Sequence, residues 1–331
     1  MTKKKYLITN LVYGDTYTKL FCNNHIKSLI DDTNLAAITE KYDVEYKIFT
    51  DADTVKTLQT HPNMAKLSKV VKISSEIFGW PEGRVKKFDY RYGLLMNVFK
   101  KSVEFAIQQD AYLTAWVADL VVAKEFFPRV MSKMEVGHDA VFVLPLRCAS
   151  EFVTPKLAEY HNALPDKELC ALGFEALHPL WVACHWNNPQ FTKLPFTMLW
   201  NTGGGLLARS FSTTPIVFKP KKEMLEGRGM IDGDVPGLFD NPYWALDWTD
   251  APVVGVEPLI CYYPPFANRP ASAEWVRDWS TCLDPTQIPF IEKRLYYPDR
   301  ETVKPSPQML AESDAVVKKI MEGQAHGEAA S

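Results

Sequence analysis

Between residues 6 and 145, short apolar runs rich in β-branched and aromatic side chains alternate with stretches of helical period, which confines the chain to layered α/β architectures. Residues 6–12 read as a first strand, 13–16 as a turn and 17–30 as a helix. Residues 44–50 read as a second strand closing on Thr50-Asp51-Ala-Asp53, and ligands of open α/β sheets bind at that carboxyl edge. Asp51 and Asp53 have a second reading as caps of a short helix over residues 54–58. Tyr92, Leu95, Phe99, Val103 and Ala106 recur at spacings of three and four, which predicts a long helix over residues 89–109. Residues 111–123 read as one strand, 125–134 as a helix and 139–145 as another buried strand. The expected sheet is mainly parallel and flanked by helices.

Asp119 is the one charge inside the run 111–123. A buried carboxylate without a partner costs several kcal/mol, so Asp119 needs a cation, a metal, several hydrogen bonds or a place at the strand end. Arg84, Lys86 and Lys87 precede the long helix, and Arg91 falls in its first turn. Cations there oppose the helix dipole, and a bound anion would relieve them; a solvated basic surface is the competing reading.

Two strings in the second half have the composition of a binding site. Asn201-Thr-Gly-Gly-Gly-Leu-Leu-Ala-Arg209 has three consecutive residues without a Cβ, so a backbone can approach a ligand closely, and it ends on a guanidinium. Asp232-Gly-Asp234 sets two carboxylates around a turn residue. Together they point to a polyhydroxylated, anionic small molecule; a tightly packed bulge and an Asx turn are the structural alternatives. His178 and His185 lie in a segment rich in Trp and Asn that is expected to wall a pocket.

With 331 residues the chain can bury a sizeable core, and a net charge of −3 argues against general nucleic-acid binding. Six cysteines include no Cys-x-x-Cys pair, so neither a zinc ribbon nor a dithiol motif is expected. The first apolar run is too short for a signal-peptide core or a membrane span, which leads to the expectation of a cytoplasmic protein without a transmembrane segment. Residues 1–265 read as the main domain, and residues 266–331 as a proline-rich C-terminal extension with a frayed tail.

The ordered series, from about residue 5 to 260, resembles the GT-A class of nucleotide-sugar glycosyltransferases. Leu11-Val-Tyr13-Gly-Asp matches the first strand and nucleotide-contacting turn, Thr50-Asp51-Ala-Asp53 the second strand with its acidic end, and the segment 84–91 a basic helix start near the diphosphate. Trp116-Val-Ala-Asp119 stands at the position of the Asp-x-Asp metal motif, with Val117 in place of the first Asp. Gly203-Gly204-Gly is similar to the acceptor-side glycine strand, and Asp232-Gly-Asp234 stands where inverting members carry a catalytic carboxylate.

The resemblance implies a GT-A-like, Rossmann-related fold and transfer of a sugar from a UDP-sugar or related donor to a glycan, lipid-linked or protein acceptor, as in polysaccharide biosynthesis. It implies Asp232 or Asp234 as general base and Asp119 with His185 as seat of Mn²⁺ or Mg²⁺. Tyr13, Asp51, Asp53, Lys87, Arg91, Gly203, Gly204 and Arg209 would contact the donor. With Val117 at that position, transfer without a metal stays open, and a non-catalytic nucleotide-sugar or glycan-binding domain, or a scaffold, is the alternative function. Nucleotidyl transfer and Rossmann dehydrogenase chemistry are disfavoured, because the turn after the first strand has one glycine and neither Lys nor Arg.

Overall fold

A computed structural model describes residues 3–79, 88–260, 265–299 and 304–322, the stretch 88–91 through its backbone alone. Lys87 and the Arg91 side chain, expected at the diphosphate, lie outside the described residues, as do Arg84 and Lys86.

Strand β1 (Lys4–Val12) is enclosed on both faces from Tyr6 onward, the pattern of a central strand. Gly14, at φ +72°, turns the chain into α1 (Asp15–Leu20). The expected first helix is there, but a π-helical stretch, Phe21–His25, interrupts it before α2 (Ile26–Leu29) and rotates His25 into the core. Then come β2 (Tyr42–Thr50), α3 (Ala52–Thr60), α4 (Pro62–Leu67) and β3 (Lys72–Ile77). The long helix is α5 (Phe88–Gln109), followed by β4 (Tyr112–Val117).

The single strand expected over 111–123 is corrected. It breaks at Ala118–Asp119, and β5 (Leu120–Val122) leaves the central sheet for another one. An apolar run does not mark where one ladder ends and the next begins.

After α6 (Phe126–Glu135) come β6 (Ala140–Val143), β7 (Leu146–Ala149), α7 (Ser150–Ala158), α8 (Asp166–Glu175) and the short α9 (Pro179–Val182). Strands β8 (Thr197–Asn201), β9 (Gly205–Ser210), β10 (Thr214–Phe218), β11 (Pro242–Trp244) and β12 (Val253–Glu257) follow. The chain closes with α10 (Ala273–Ser280), β13 (Leu295–Pro298) and α11 (Pro307–Glu322).

Among the described residues the central sheet has seven strands in the order β11-β6-β10-β4-β1-β2-β3. Every pairing in it is parallel except those of β10, which runs antiparallel between β4 and β6. This is the mixed, mainly parallel α/β sheet expected of a GT-A-like fold. Ile8, Tyr46, Trp116 and Val141 line one face against Phe126 and Phe127, while Leu7, Leu113, Phe142 and Phe218 line the other against Phe99 and Val103 of α5.

Among the described residues there are also two three-stranded sheets, β5-β12-β7 and β13-β9-β8. In the second of these β13 pairs antiparallel with β9, and Val276 of α10 with Val317 and Ile320 of α11 packs on Met198, Trp200 and Leu207. Residues beyond 265 therefore share a core with the strands before them.

Helix α8 reaches β7 through Gly173, where a Cβ would meet Leu146 Cδ2 at 2.6 Å and Cys148 Sγ at 3.2 Å. Gly173→Ala is expected to lower stability by about 2 kcal/mol through overpacking, read as a lower urea midpoint with unchanged slope. An unchanged midpoint would mean that β7 has room to shift.

Candidate functional site

From β1 the sheet extends through β2 to β3 on one side and through β4 on the other. Such a reversal of strand order leaves a crevice at the carboxyl ends of the diverging strands. Here that edge carries Tyr13 after β1, Asp51 after β2, and the Ala118–Asp119 turn after β4. The ladder between β4 and β10 pairs Leu113 with Phe218, and further toward the carboxyl edge the Thr114 hydroxyl donates to Ile216 O at 2.6 Å.

Asp119 gains its partners from the small sheet. Its carbonyl accepts from Val256 N at 2.8 Å, which places β12 and its terminal Glu257 beside the turn. Arg147 of β7, in register with Gly255, brings its Nε within 3.3 Å of Glu257 Oε1. Burial and the neighbouring Glu257 charge raise the Asp119 carboxyl to about 7, against the opposing pull of Arg147. The result is an acid that exchanges its proton near neutrality, with a second carboxylate and a guanidinium at hand, the pattern of a tuned catalytic or ion-binding centre. Burial pushes the thiols of Cys148 and Cys184 well above their ordinary range, which makes them poor nucleophiles.

The other expected residues are dispersed. Tyr13 stacks edge-on against Phe78 at 6.1 Å at the crevice. Asp51 caps α3 by accepting from Thr54 N at 2.8 Å, and Asp53 is exposed beside Lys56. Val117, in place of a first motif Asp, stands exposed at the end of β4.

The glycine run forms the turn between β8 and β9. Gly203 N donates to Asn201 Oδ1, Gly204 O accepts from Asp299 N, and a Cβ on Gly205, at φ +152°, would lie 2.2 Å from Tyr297 O. Arg209 is 2 % exposed and faces inward, donating to Glu292 O, Ser313 Oγ and Asp314.

Of the two central candidates, Asp234 accepts from Gly229 N and Met230 N with its two oxygens and so closes its own loop. Asp232 accepts from Ser212 Oγ at 3.5 Å. Ser212 lies two residues before β10, whose Thr214 pairs with Val143 at the carboxyl end of β6, so Asp232 also lies toward the carboxyl edge. His185 forms a bridge with Leu199, and burial lowers its pKa. His178 caps α9 and bonds Pro258 O.

Among the described residues no three His, Cys, Asp or Glu side chains converge with metal-ligand spacing. The oxygen donors at hand are those of Asp119 and Glu257. Such a pair suits Mg²⁺, which is commonly held by one or two carboxylates plus substrate phosphates.

Glu257 and Arg147 are absent from the sequence-level candidates. The available signal was an acid closing the run Val253-Val-Gly-Val-Glu257 immediately before Pro258. A cavity of about 90 Å³ lined by Lys5, Asp43, Glu45 and Lys72 opens at the amino-terminal ends of β1 to β3, away from this site. Among the described residues no helix is long and apolar enough to cross a membrane.

The sequence matches no protein-family model and no curated protein. Among solved structures, mouse xyloside xylosyltransferase 1 in its apo form matches at 10 % identity and a TM-score of 0.26, over 45 % of this chain and 53 % of that one. A putative glucose-1-phosphate thymidylyltransferase from Bacillus anthracis, in complex with a sucrose, matches at 12 % identity and a TM-score of 0.22, over 44 % of this chain and 55 % of that one. The match spans about half the length of each of these chains.

Proposed function

We propose that this chain is a glycosyltransferase that takes a nucleotide-sugar donor, a UDP-sugar foremost, into the crevice at the carboxyl ends of β1 and β4. The observation that carries the reading is the half-buried Asp119 at the end of β4, whose carbonyl is held by β12 beside the Glu257–Arg147 pair and whose carboxyl is raised to about 7. Tyr13 borders the nucleoside end of this crevice. Asp119 and Glu257 would hold Mg²⁺ or Mn²⁺, and the ion would supply charge neutralisation for the departing diphosphate. Arg147 adds a fixed cation for the leaving group.

Asp232 takes the proton of the attacking acceptor hydroxyl, a contribution of roughly 10² to 10⁴ in rate. Asp234, whose oxygens hold backbone amides, is the weaker candidate for that role. The acceptor is a glycan, a lipid-linked sugar or a protein. Binding without turnover is the second reading, favoured by the exposed Val117 where the resemblance calls for a metal-binding Asp.

The test is a thermal-shift panel of UDP, GDP, CMP and dTDP sugars, each with Mn²⁺, Mg²⁺ or EDTA. A donor at 100 times its dissociation constant is expected to stabilise the fold by about 2.7 kcal/mol. A selective shift lost in EDTA supports the donor site, and hydrolysis or transfer of that donor separates enzyme from binding domain. If no nucleotide sugar moves the transition, the reading falls.

A further inference from the structure

The turn that carries Asp119 is gripped from the core side by two buried polar residues, Asn10 and His25, with a third, Tyr46, between them. Asn10 of β1, 1 % exposed, donates through Nδ2 to Val117 O at 3.0 Å. His25, which the π-helical stretch turns inward, bonds through Nδ1 to Leu120 O. A carbonyl only accepts, so Nδ1 carries the proton. Tyr46 of β2 stands between the two arms, its hydroxyl facing two acceptors, Asn10 Oδ1 and, at 2.8 Å, His25 Nε2, so that its single hydrogen serves one of them at a time. The two gripped carbonyls bracket Ala118 and Asp119.

The surroundings are apolar and aromatic. Phe21 stacks on His25 at 5.2 Å, and Trp116 meets it edge-on at 5.2 Å. Burial holds the imidazole neutral by lowering its pKa to about 4. Polar groups in such a place are costly unless bonded, and a linked set of them fixes one geometry where apolar residues would fill the space without directing it. Three strands contribute to the linkage, since Asn10 and Tyr46 lie on β1 and β2 and the gripped turn follows β4.

We infer that Asn10, Tyr46 and His25 are positioning residues that hold the Val117–Leu120 turn, and with it the Asp119 carboxyl, in place for the donor. The functional half of this inference rests on the glycosyltransferase reading; the mechanical half does not.

The experiment compares Tyr46→Phe with Tyr42→Phe. Both remove one hydroxyl from β2, but that of Tyr42 donates to Glu135, whereas that of Tyr46 lies against Asn10 and His25. Hydrogen exchange over residues 116–122 is expected to speed up about tenfold or more in Tyr46→Phe and to stay unchanged in Tyr42→Phe. Asn10→Ser, which cuts the Val117 arm, shows the same local effect should Tyr46→Phe not fold. For the donor identified by the panel, Tyr46→Phe is expected to weaken affinity about tenfold while Tyr42→Phe leaves it intact.

Unchanged exchange at the turn, or an even acceleration across β1, β2 and β4, overturns the clamp. A loosened turn with full donor affinity overturns its role at the site. The exchange comparison uses no ligand, so failure of the glycosyltransferase reading in the panel is seen separately from failure of the clamp.

Discussion

Asp119→Asn is expected to make the protein more stable above neutral pH while removing donor binding. In the unfolded chain this carboxyl titrates near 4, whereas in the fold it is raised to about 7. Below pH 4 both states hold the proton and the group has no effect on stability. Between about pH 4 and 7 the unfolded state has lost the proton that the fold retains, so unfolding gains progressively as pH rises. Asparagine has no proton to lose and escapes this penalty.

The gain is expected to be about 2 kcal/mol at pH 8, because the half-buried site retains contact with solvent, and to vanish by pH 4. Urea unfolding at pH 4, 6 and 8 measures it. A destabilisation that is the same at all three values would mean that Asp119 is held for structural reasons. Increased stability together with lost donor response is the trade expected of a group kept for its chemistry.

Arg209→Ala is expected to have the opposite profile, a loss of about 3 to 5 kcal/mol with donor affinity unchanged in the folded fraction. The guanidinium lies between β9 and the C-terminal helix, donating to Glu292 O at 2.6 Å and to Ser313 Oγ at 3.2 Å. It also meets Asp314, which Arg294 grips from outside. The two arginines outweigh the effect of burial and hold the Asp314 carboxyl below its ordinary range. That contribution is present at neutral pH and is lost as acid protonates Asp314. Truncation leaves Glu292 O and Ser313 short of a donor and opens a void in the seam. Chemical unfolding and the nucleotide panel, run on the same variant, separate this structural role from donor binding. A stable variant with weakened donor affinity would return Arg209 to the site.

Much of the framework was legible in order along the chain. The strands at 6–12 and 44–50, the long helix ending at Gln109 and the helix after residue 125 all appear close to their expected positions. Each buries one or both faces against neighbours of the same kind, and that need is written in local periodicity. Asp119 was legible as an anomaly for the same reason, being a charge in an apolar run.

The functions of individual polar side chains were less legible. Asp51 serves as a helix cap, Asp234 as a loop tie and Arg209 as an internal strut, although each also suits a ligand by residue type. Composition cannot separate these uses, because a carboxylate that accepts an amide and one that accepts a ligand hydroxyl look identical in sequence. Glu257 and Arg147 are not legible in sequence, because nothing near either in the chain indicates that β12 runs beside both β5 and β7.

The sequence by itself determined that the chain is a layered α/β protein and that Asp119 must have a partner or an exit from its strand. Periodicity and desolvation act over a few residues, so both follow from neighbours in the chain. Only the tertiary structure decided that the strand breaks at Asp119, that Glu257 and Arg147 close around it, and that Asn10, Tyr46 and His25 hold it from behind. Those contacts join residues about 20 to 140 positions apart, and they exist because strand order in a sheet is set by the packing of whole elements.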